Sequence, residues 1–361
     1  MKLKTQEKLN EWLEDQISNC VKCGACHASC PIFRIERHEG SGIRGKIALL
    51  QSRNKEPFPS LEEIEKRLAK CLSCSNCKAV CVNKVETLFL SEIVKLVFSP
   101  EKYQEMKVTF EEGISKKFPI FPADRTAIVF SGFAKSVQNG PFHNWEMNAV
   151  EICRKCGVNG FLLPSDSMLT PPSRFSKNLR DKISWISTFF TFIFTIKPSN
   201  FIFGNLDIFY FSKLAEILFE FSEEELKLLY RPEQISSFLF KFSHDVKQKI
   251  EGRFAFFESC LSLSGLYNSS SSKKLLSLTL CEKPLEIPQE GICCGAKSSF
   301  EESIKKISKI NSEYLLEKFS RMGINSIVTD NQPCSEQLIQ LFEKTGIKLY
   351  SSLELIAKAI L

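Results

Sequence analysis

Two runs of four cysteines lie in the first quarter of the chain and share one spacing. The runs are Cys20-x2-Cys23-x2-Cys26-x3-Cys30 and Cys71-x2-Cys74-x2-Cys77-x3-Cys81. With this spacing, three cysteines of one run and the fourth cysteine of the other run hold each of two [4Fe-4S] cubanes. The pattern therefore predicts one cluster on Cys20, Cys23, Cys26 and Cys81, and a second on Cys71, Cys74, Cys77 and Cys30.

Other uses of these cysteines fit the spacing less well. Zinc takes four tetrahedral ligands, usually as two CxxC pairs, and has no use for the third cysteine of each run. A disulfide framework stabilises small secreted domains, whereas 361 residues suffice to bury a core. Fifteen cysteines without a secretory signal indicate a reducing, cytoplasmic compartment.

Length and composition describe a folded protein of two or three domains. The chain is 43% hydrophobic and 25% charged, as in ordinary globular proteins. Its net charge of +6 is spread along the sequence, which disfavours a nucleic-acid-binding surface. The most apolar stretch, Trp185–Ile196, is shorter than the roughly 20 residues that a bilayer-spanning helix needs. We expect a buried strand with an adjoining loop there.

Helices are predicted on both sides of the cysteine runs. Apolar residues recur at helical intervals over 3–17, 61–68 and most of 84–116, and Gly40–Ile47 is typical of a glycine-rich turn entering a helix. After Phe118–Pro122, short apolar runs alternate with charged helices. The predicted strands are Ala127–Phe130, Phe161–Leu163, Phe201–Phe203, Phe254–Phe257, Ile324–Thr329 and Ile347–Tyr350.

This alternation predicts an α+β multidomain chain with parallel α/β units. We assign 1–116 to an α-helical ferredoxin-type domain, and 125–235 and 252–361 to two α/β half-repeats. A helix over 301–322 places Ile304, Ile307, Ile310 and Tyr314 on one face. Ser269–Ser272 is expected to be a flexible surface loop.

A second set of cysteines lies in the last half-repeat. Cys260 and Cys334 fall just past predicted strands, where α/β domains collect their ligands. Cys293 and Cys294 are adjacent, so both can serve one site only if the site is a large cluster or a pair of irons. Gly295 then supplies the bend in the backbone.

Together these residues resemble the iron–sulfur subunits of glycolate oxidase, anaerobic glycerol-3-phosphate dehydrogenase and heterodisulfide reductase. That family joins a ferredoxin-type dicluster to paired cysteine-rich CCG domains, and the resemblance spans nearly the whole chain. The family spacing recurs with 32 residues before Cys293-Cys294 and 36 after, but Asn331 stands where a further cysteine is expected. The resemblance implies that Cys260, Cys293, Cys294 and Cys334 either bind a third cluster or remain as vestigial thiols.

The first half-repeat retains none of these ligands and is interpreted as structural. Its positions corresponding to the ligands are Gly132 or Phe133, Thr170–Pro172 and Gly204–Asp207. Arg44–Ile47 resembles the family's segment between the cysteine runs. Smaller departures from the family pattern are Val82 after Cys81 and Leu261 after Cys260.

The remaining candidates are weaker. Cys153 and Cys156 share a helical face and are expected to be structural, and Cys281 is expected in the core. His27 either forms a hydrogen bond near a cluster or is a solvated loop residue. The sequence has no phosphate loop, nucleotide fingerprint or catalytic triad, so a flavin would lie on another polypeptide.

The family implies an electron-transfer subunit without catalytic residues of its own. An FAD-binding dehydrogenase subunit would oxidise a 2-hydroxy acid, glycolate to glyoxylate or lactate, and electrons would pass to a quinone or other acceptor. The complex would be cytoplasmic, peripheral at the inner face of the membrane through its partners. The alternatives are a heterodisulfide reductase-like thiol/disulfide oxidoreductase, an anaerobic glycerol-3-phosphate dehydrogenase subunit, and a redox sensor or scaffold.

Overall fold

The computed structural model describes residues 1–115, 127–132, 140–158, 160–163, 169–198, 200–230, 232–240, 246–287, 293–299, 301–343 and 345–361. Phe118–Pro122 and Phe133, named above, lie outside these ranges. Within them the chain is a mixture of helices and sheets, as predicted, and none of the helices is both long and apolar enough to cross a bilayer.

Residues 1–115 are mainly helical, and the cysteines lie in the loops between helices or in two short helices. The helices are α1 (Gln6–Ser18), α2 (Ala25–Ser29), α3 (Pro31–Glu36), α4 (Ile43–Gln51), α5 (Leu61–Ala69), α6 (Asn76–Ala79), α7 (Leu90–Phe98) and α8 (Pro100–Ile114). Local sequence explains the start of α5, where Ser60 and Glu63 form a reciprocal capping box. Ile64 and Leu68 then bury the predicted apolar stripe and lead the chain into Cys71. The helical predictions for this region are confirmed.

Two four-stranded parallel sheets follow. The elements around the first sheet are β2 (Ala127–Phe130), α9 (Trp145–Lys155), β3 (Gly160–Leu162), α10 (Leu179–Ile196), β4 (Phe201–Phe203), α11 (Asp207–Leu218), α12 (Glu223–Leu229), β6 (Pro232–Gln234) and α13 (Ile235–Phe240). A two-residue strand, β5 (Phe219–Glu220), pairs in antiparallel fashion with β1 (Lys2–Leu3).

The elements around the second sheet are β7 (Ala255–Phe256), α14 (Cys260–Leu263), α15 (Ser270–Thr279), β8 (Leu285–Glu286), α16 (Lys305–Arg321), β9 (Ser326–Thr329), α17 (Gln332–Phe342), β10 (Lys348–Ser351) and α18 (Ser352–Ile360). The sheet orders are β3-β2-β4-β6 and β8-β7-β9-β10. In both sheets the first strand lies between the second and the third, and the fourth lies outside the third. This shared order is what an internal duplication would produce, and the domain boundaries stay a prediction.

The helical region and the first sheet bury one continuous core. Phe89 and Phe110 belong to the same buried cluster as Phe189 and Phe211, and α8 packs along α10. A buried polar group crosses this interface. Lys182 Nζ donates to Glu92 Oε1 at 2.7 Å, and the Tyr210 hydroxyl donates to the same oxygen at 3.0 Å. Because a buried charge requires a partner, this group fixes α7 against α10 and α11.

Two local predictions were wrong. Trp185–Ile196 is the greater part of helix α10 and not a strand, because the helix is buried on most of its circumference and therefore shows no polar stripe. Ser269–Ser272 is not a flexible loop. It forms the start of α15, where Ser272 is fully buried against the hydroxyls of Ser236 and Tyr267.

The predicted face of the 301–322 helix is correct only in its first half. Ile304 and Ile307 are buried, whereas Ile310 and Tyr314 are exposed. The buried face continues instead through Asn311, Leu315 and Phe319.

Candidate iron–sulfur sites

The first cysteine run lines one cavity together with the last cysteine of the second run. Cys20 follows α1, Cys23 and Cys26 lie in the loop around the start of α2, and Cys81 follows α6. All four line a cavity that Arg44 of α4 also borders. Burial raises the pKa of the Cys26 thiol.

The second cavity is lined by Cys71, Cys74 and Cys77 together with Cys30. Short α3 begins directly after Cys30, and packing of α2 against α6 brings the two runs together. Burial, with the neighbouring Cys74, raises the pKa of Cys30 to about 12. The structure thus brings together the two sets of four that the spacing predicts, and their role as ligands stays a prediction.

The two loops have the same unusual backbone. The residues before and after the second cysteine are in the left-handed region in both: Lys22 and Gly24 have φ of 56° and 86°, and Ser73 and Ser75 have φ of 52° and 61°. Residues other than glycine rarely adopt this backbone conformation, and they keep it only where the surrounding structure holds them in it. In the second loop it lets the amide of Ser73 approach the Cys71 sulfur at 3.3 Å.

The segment Arg44–Ile47 borders both cavities. Arg44 pairs with Glu39 through two nitrogens at the first cavity, whereas Lys46, buried, lines the second and donates to the Lys70 carbonyl. Burial lowers the pKa of Lys46, and the Cys71 and Cys30 thiolates oppose that shift. The sequence singled out this segment but did not predict that Arg44 and Lys46 border different cavities.

His27 is buried and is not a solvated loop residue. Its ring stacks on Phe33 with centroids 3.9 Å apart, and burial lowers its pKa. Cys153 is fully buried, as predicted for a structural cysteine, whereas Cys281 is exposed and not in the core.

The third set of cysteines converges beside the second cavity. Cys294 and Cys334 have their sulfurs 2.9 Å apart, and the amide of Gly295 donates to Cys293 at 3.4 Å. Gly295 has φ of 83°, the bend that adjacent cysteines require. Cys293 also exchanges a hydrogen bond with Cys74 and packs in the same small apolar cluster, so the two sites adjoin.

Charge around the third set differs from one sulfur to the next. Hydrogen bonding with Cys293 and Cys334 holds the pKa of Cys294 well below its usual value. Burial raises the pKa of Cys260 to about 11 although Arg174 opposes it. Over the described ranges, no three Cys, His, Asp or Glu side chains converge on a single ion. Four cysteine thiols are nevertheless the donor set that a [4Fe-4S] cluster takes.

Asn331, at the place where a cysteine is expected, caps a helix. It begins α17 as the N-cap, and its Oδ1 accepts from the amide of Cys334 at 3.2 Å. The structure therefore explains the asparagine by its helix cap, which also orients Cys334.

Sequence reasoning missed Arg174 and Asp207 in the first half-repeat. Arg174 Nη2 lies 2.7 Å from the Cys260 sulfur, while Asp207 accepts from Nη1 and from the Arg174 amide. The only sequence signal was that Asp207 lies in a segment corresponding to cysteine ligands of the other half.

Comparisons with known proteins agree with the N-terminal geometry. The 4Fe-4S dicluster domain family matches residues 16–85. The probable glycolate oxidase iron–sulfur subunit of Bacillus subtilis strain 168 is 29% identical over 123 residues, which are 33% of this chain and 28% of the relative. The glycolate oxidase iron–sulfur subunit of Escherichia coli K12 is 36% identical over 66 residues, 18% of this chain and 16% of the relative.

The matched stretches cover less than a third of either relative. The dicluster family accounts for both cysteine runs, because residues 16–85 contain all eight cysteines. Residues 16–85 therefore match a 4Fe-4S dicluster domain, and part of the chain is similar to part of the iron–sulfur subunits of two glycolate oxidases.

Proposed function

We propose that this chain is the electron-transfer subunit of a flavin-dependent 2-hydroxy-acid dehydrogenase complex. The observation that carries the proposal is the series of adjoining cysteine sites: two cavities of four cysteines share the crossed runs, and the second contacts a third set through Cys74 and Cys293. When bound, [4Fe-4S] clusters supply one-electron redox chemistry. The protein holds these sites close together and leaves the first more exposed to solvent than the second.

Exposure suggests where a partner docks. Cys23 is exposed beside the first cavity, and Val21 and Val82 on its rim are 64% and 72% exposed. Lys22 and Lys84 are exposed on the same loops. An apolar centre with lysines around it suits a redox partner that presents acidic residues around an apolar patch. In the proposal, electrons are exchanged at the first cavity and the second lies deeper.

The names of the relatives support the substrate class in this proposal. Their names support glycolate as the substrate of the complex, with glyoxylate as product, or lactate as a close analogue. The FAD-binding subunit would oxidise the hydroxy acid, and a quinone or other acceptor would take the electrons. Peripheral association with the inner face of the membrane, through partners, belongs to the same proposal.

The test is anaerobic co-purification of the tagged chain from its own host. We expect a flavoprotein to co-purify and to reduce the bound clusters when glycolate or lactate is added, followed by electron paramagnetic resonance. Val82→Glu should weaken this reduction, whereas Val108→Glu, which changes an exposed valine on α8, should not. Clusters that the hydroxy acids fail to reduce, or disulfide reductase activity of the isolated chain, would contradict the proposal.

A further inference from the structure

The half-repeat that has no cysteines at the ligand positions reaches into the cysteine set of the other half. Arg174 is its point of contact, with Nη2 2.7 Å from the Cys260 sulfur and Nη1 on Asp207. Both side chains of this ion pair are only 2% exposed. A fully buried arginine is costly unless paired, so its placement against a thiol needs an explanation beyond solubility or surface charge.

The pair lies at or close to the places that correspond to cysteine ligands of the other half. β4 and β9 hold the same position in their sheets, and the helix after each begins with the residue of interest in its first turn: Asp207 in α11 and Cys334 in α17. Arg174 lies in the connection after β3, as Cys293 and Cys294 lie in the connection after β8. An ion pair in one half thus corresponds to thiols in the other.

Groups outside the cysteine set hold both the backbone and the guanidinium of Arg174. Lys182 Nζ donates to the Arg174 carbonyl at 2.8 Å, and Lys182 is itself paired with Glu92. The ring of Phe175 lies 4.2 Å from the guanidinium carbon. Nε of Arg174 is buried and has no hydrogen-bond partner among the described residues. The cation is therefore fixed in place and retains an unused donor.

We propose that Arg174 positions Cys260 and balances the negative charge of a cluster held by Cys260, Cys293, Cys294 and Cys334. This inference rests on the proposed function and deepens it, because it makes the third site an electron carrier tuned from the first half-repeat. Reduction adds one electron from the second cluster and no other reactant. A buried cation nearby stabilises the added charge and so raises the midpoint potential of the third site. Asp207 opposes that effect.

The test combines iron analysis with potentiometric electron paramagnetic resonance on the full chain under nitrogen. Wild type should bind roughly twelve irons, for three cubanes. Arg174→Met should lower the midpoint potential of the third signal and leave the two ferredoxin-type signals unchanged. Arg174→Lys should restore part of the shift, and Asp207→Asn should move it upward. Arg180→Met changes an exposed arginine and should have no effect.

The outcomes separate the inference from the proposed function. Opposite shifts for Arg174→Met and Asp207→Asn support it, as does loss of about four irons in Arg174→Met that Arg174→Lys prevents. Twelve irons with an unmoved potential in Arg174→Met overturn it. Loss of the third site in all three variants indicates a merely structural role and also overturns it. About eight irons in wild type overturn it while leaving electron transfer through the ferredoxin-type pair intact.

Discussion

The two ferredoxin-type cavities have the same loop but different surroundings. Both loops place left-handed residues on either side of the second cysteine and take their fourth cysteine from the other run. The first cavity opens beside exposed Cys23, whereas the second contains buried Cys74 and Lys46 and adjoins Cys293. Cysteine spacing therefore determines the loop, and the helices packed around it determine how much solvent and charge each site meets.

The largest effect, loss of a whole cluster, is expected when the fourth cysteine of either run is replaced by alanine. Because the fourth cysteines cross, Cys30→Ala should abolish the second cluster although Cys30 belongs to the first run, and Cys81→Ala should abolish the first. Each variant should lose about four irons. Differential loss of the two electron paramagnetic resonance signals measures this. Cys281→Ala, at an exposed cysteine outside the cavities, is the matched control. Loss of the cluster of the same run would contradict the crossed arrangement.

A smaller, global effect is expected at the buried polar group behind the second cavity. Glu92→Gln leaves Lys182 buried without a counter-charge and should lower the free energy of unfolding by about 3–5 kcal/mol. Urea denaturation under nitrogen, followed by circular dichroism, measures it. Glu317→Gln breaks an exposed pair with Arg321 and should cost less than about 1 kcal/mol. Equal effects of the two substitutions would contradict the importance of the buried group.

The ion pair of Glu92 and Lys182 also predicts how the free energy of unfolding depends on pH. Burial alone would raise the pKa of Glu92, but Lys182, Ser91 and Lys95 outweigh it and lower the pKa from 4.5 to about 2; buried Tyr210 faces the same oxygen. Because the folded pKa is the lower one, the stabilisation is complete above the ordinary value and is lost as the pH falls toward 2. The stability difference between wild type and Glu92→Gln should therefore shrink over that interval.

Patterns with a local cause were predictable from the sequence. The cysteine spacing, the apolar stripe over 61–68 and the alternating strands lead directly to the loops, to α5 and to two parallel sheets. What failed depends on neighbours distant in sequence. Trp185–Ile196 is buried on most of its circumference by α8 and by strand β4, so its sequence has no polar stripe. Arg174 gains its importance only because the fold brings Cys260, 86 residues away, against its guanidinium.

The more exposed of the two clusters should lose its iron faster. In Cys30→Ala only the first ferredoxin-type cluster remains, and in Cys81→Ala only the second, so each can be followed alone. Exposed Cys23 and the open rim predict that an iron chelator removes the first cluster several-fold faster than the second. Bleaching of the visible absorbance under nitrogen measures both rates. Equal rates would show that exposure in the loop does not control access to iron.

The smallest effect should come from the two cations of α4. Lys46 is 4% exposed, whereas Arg44 lies near the surface and is already paired with Glu39. Charges that water and salt do not screen act more strongly, and anionic thiolates favour the charged form of Lys46 against the effect of burial. Lys46→Met should therefore lower the midpoint potential of the second cluster more than Arg44→Met lowers that of the first. The shift caused by Lys46→Met should also persist in high salt. If the two shifts were equal, or both vanished in high salt, the deeper burial of the second cavity would have no electrostatic consequence, and the two sites would differ only in access.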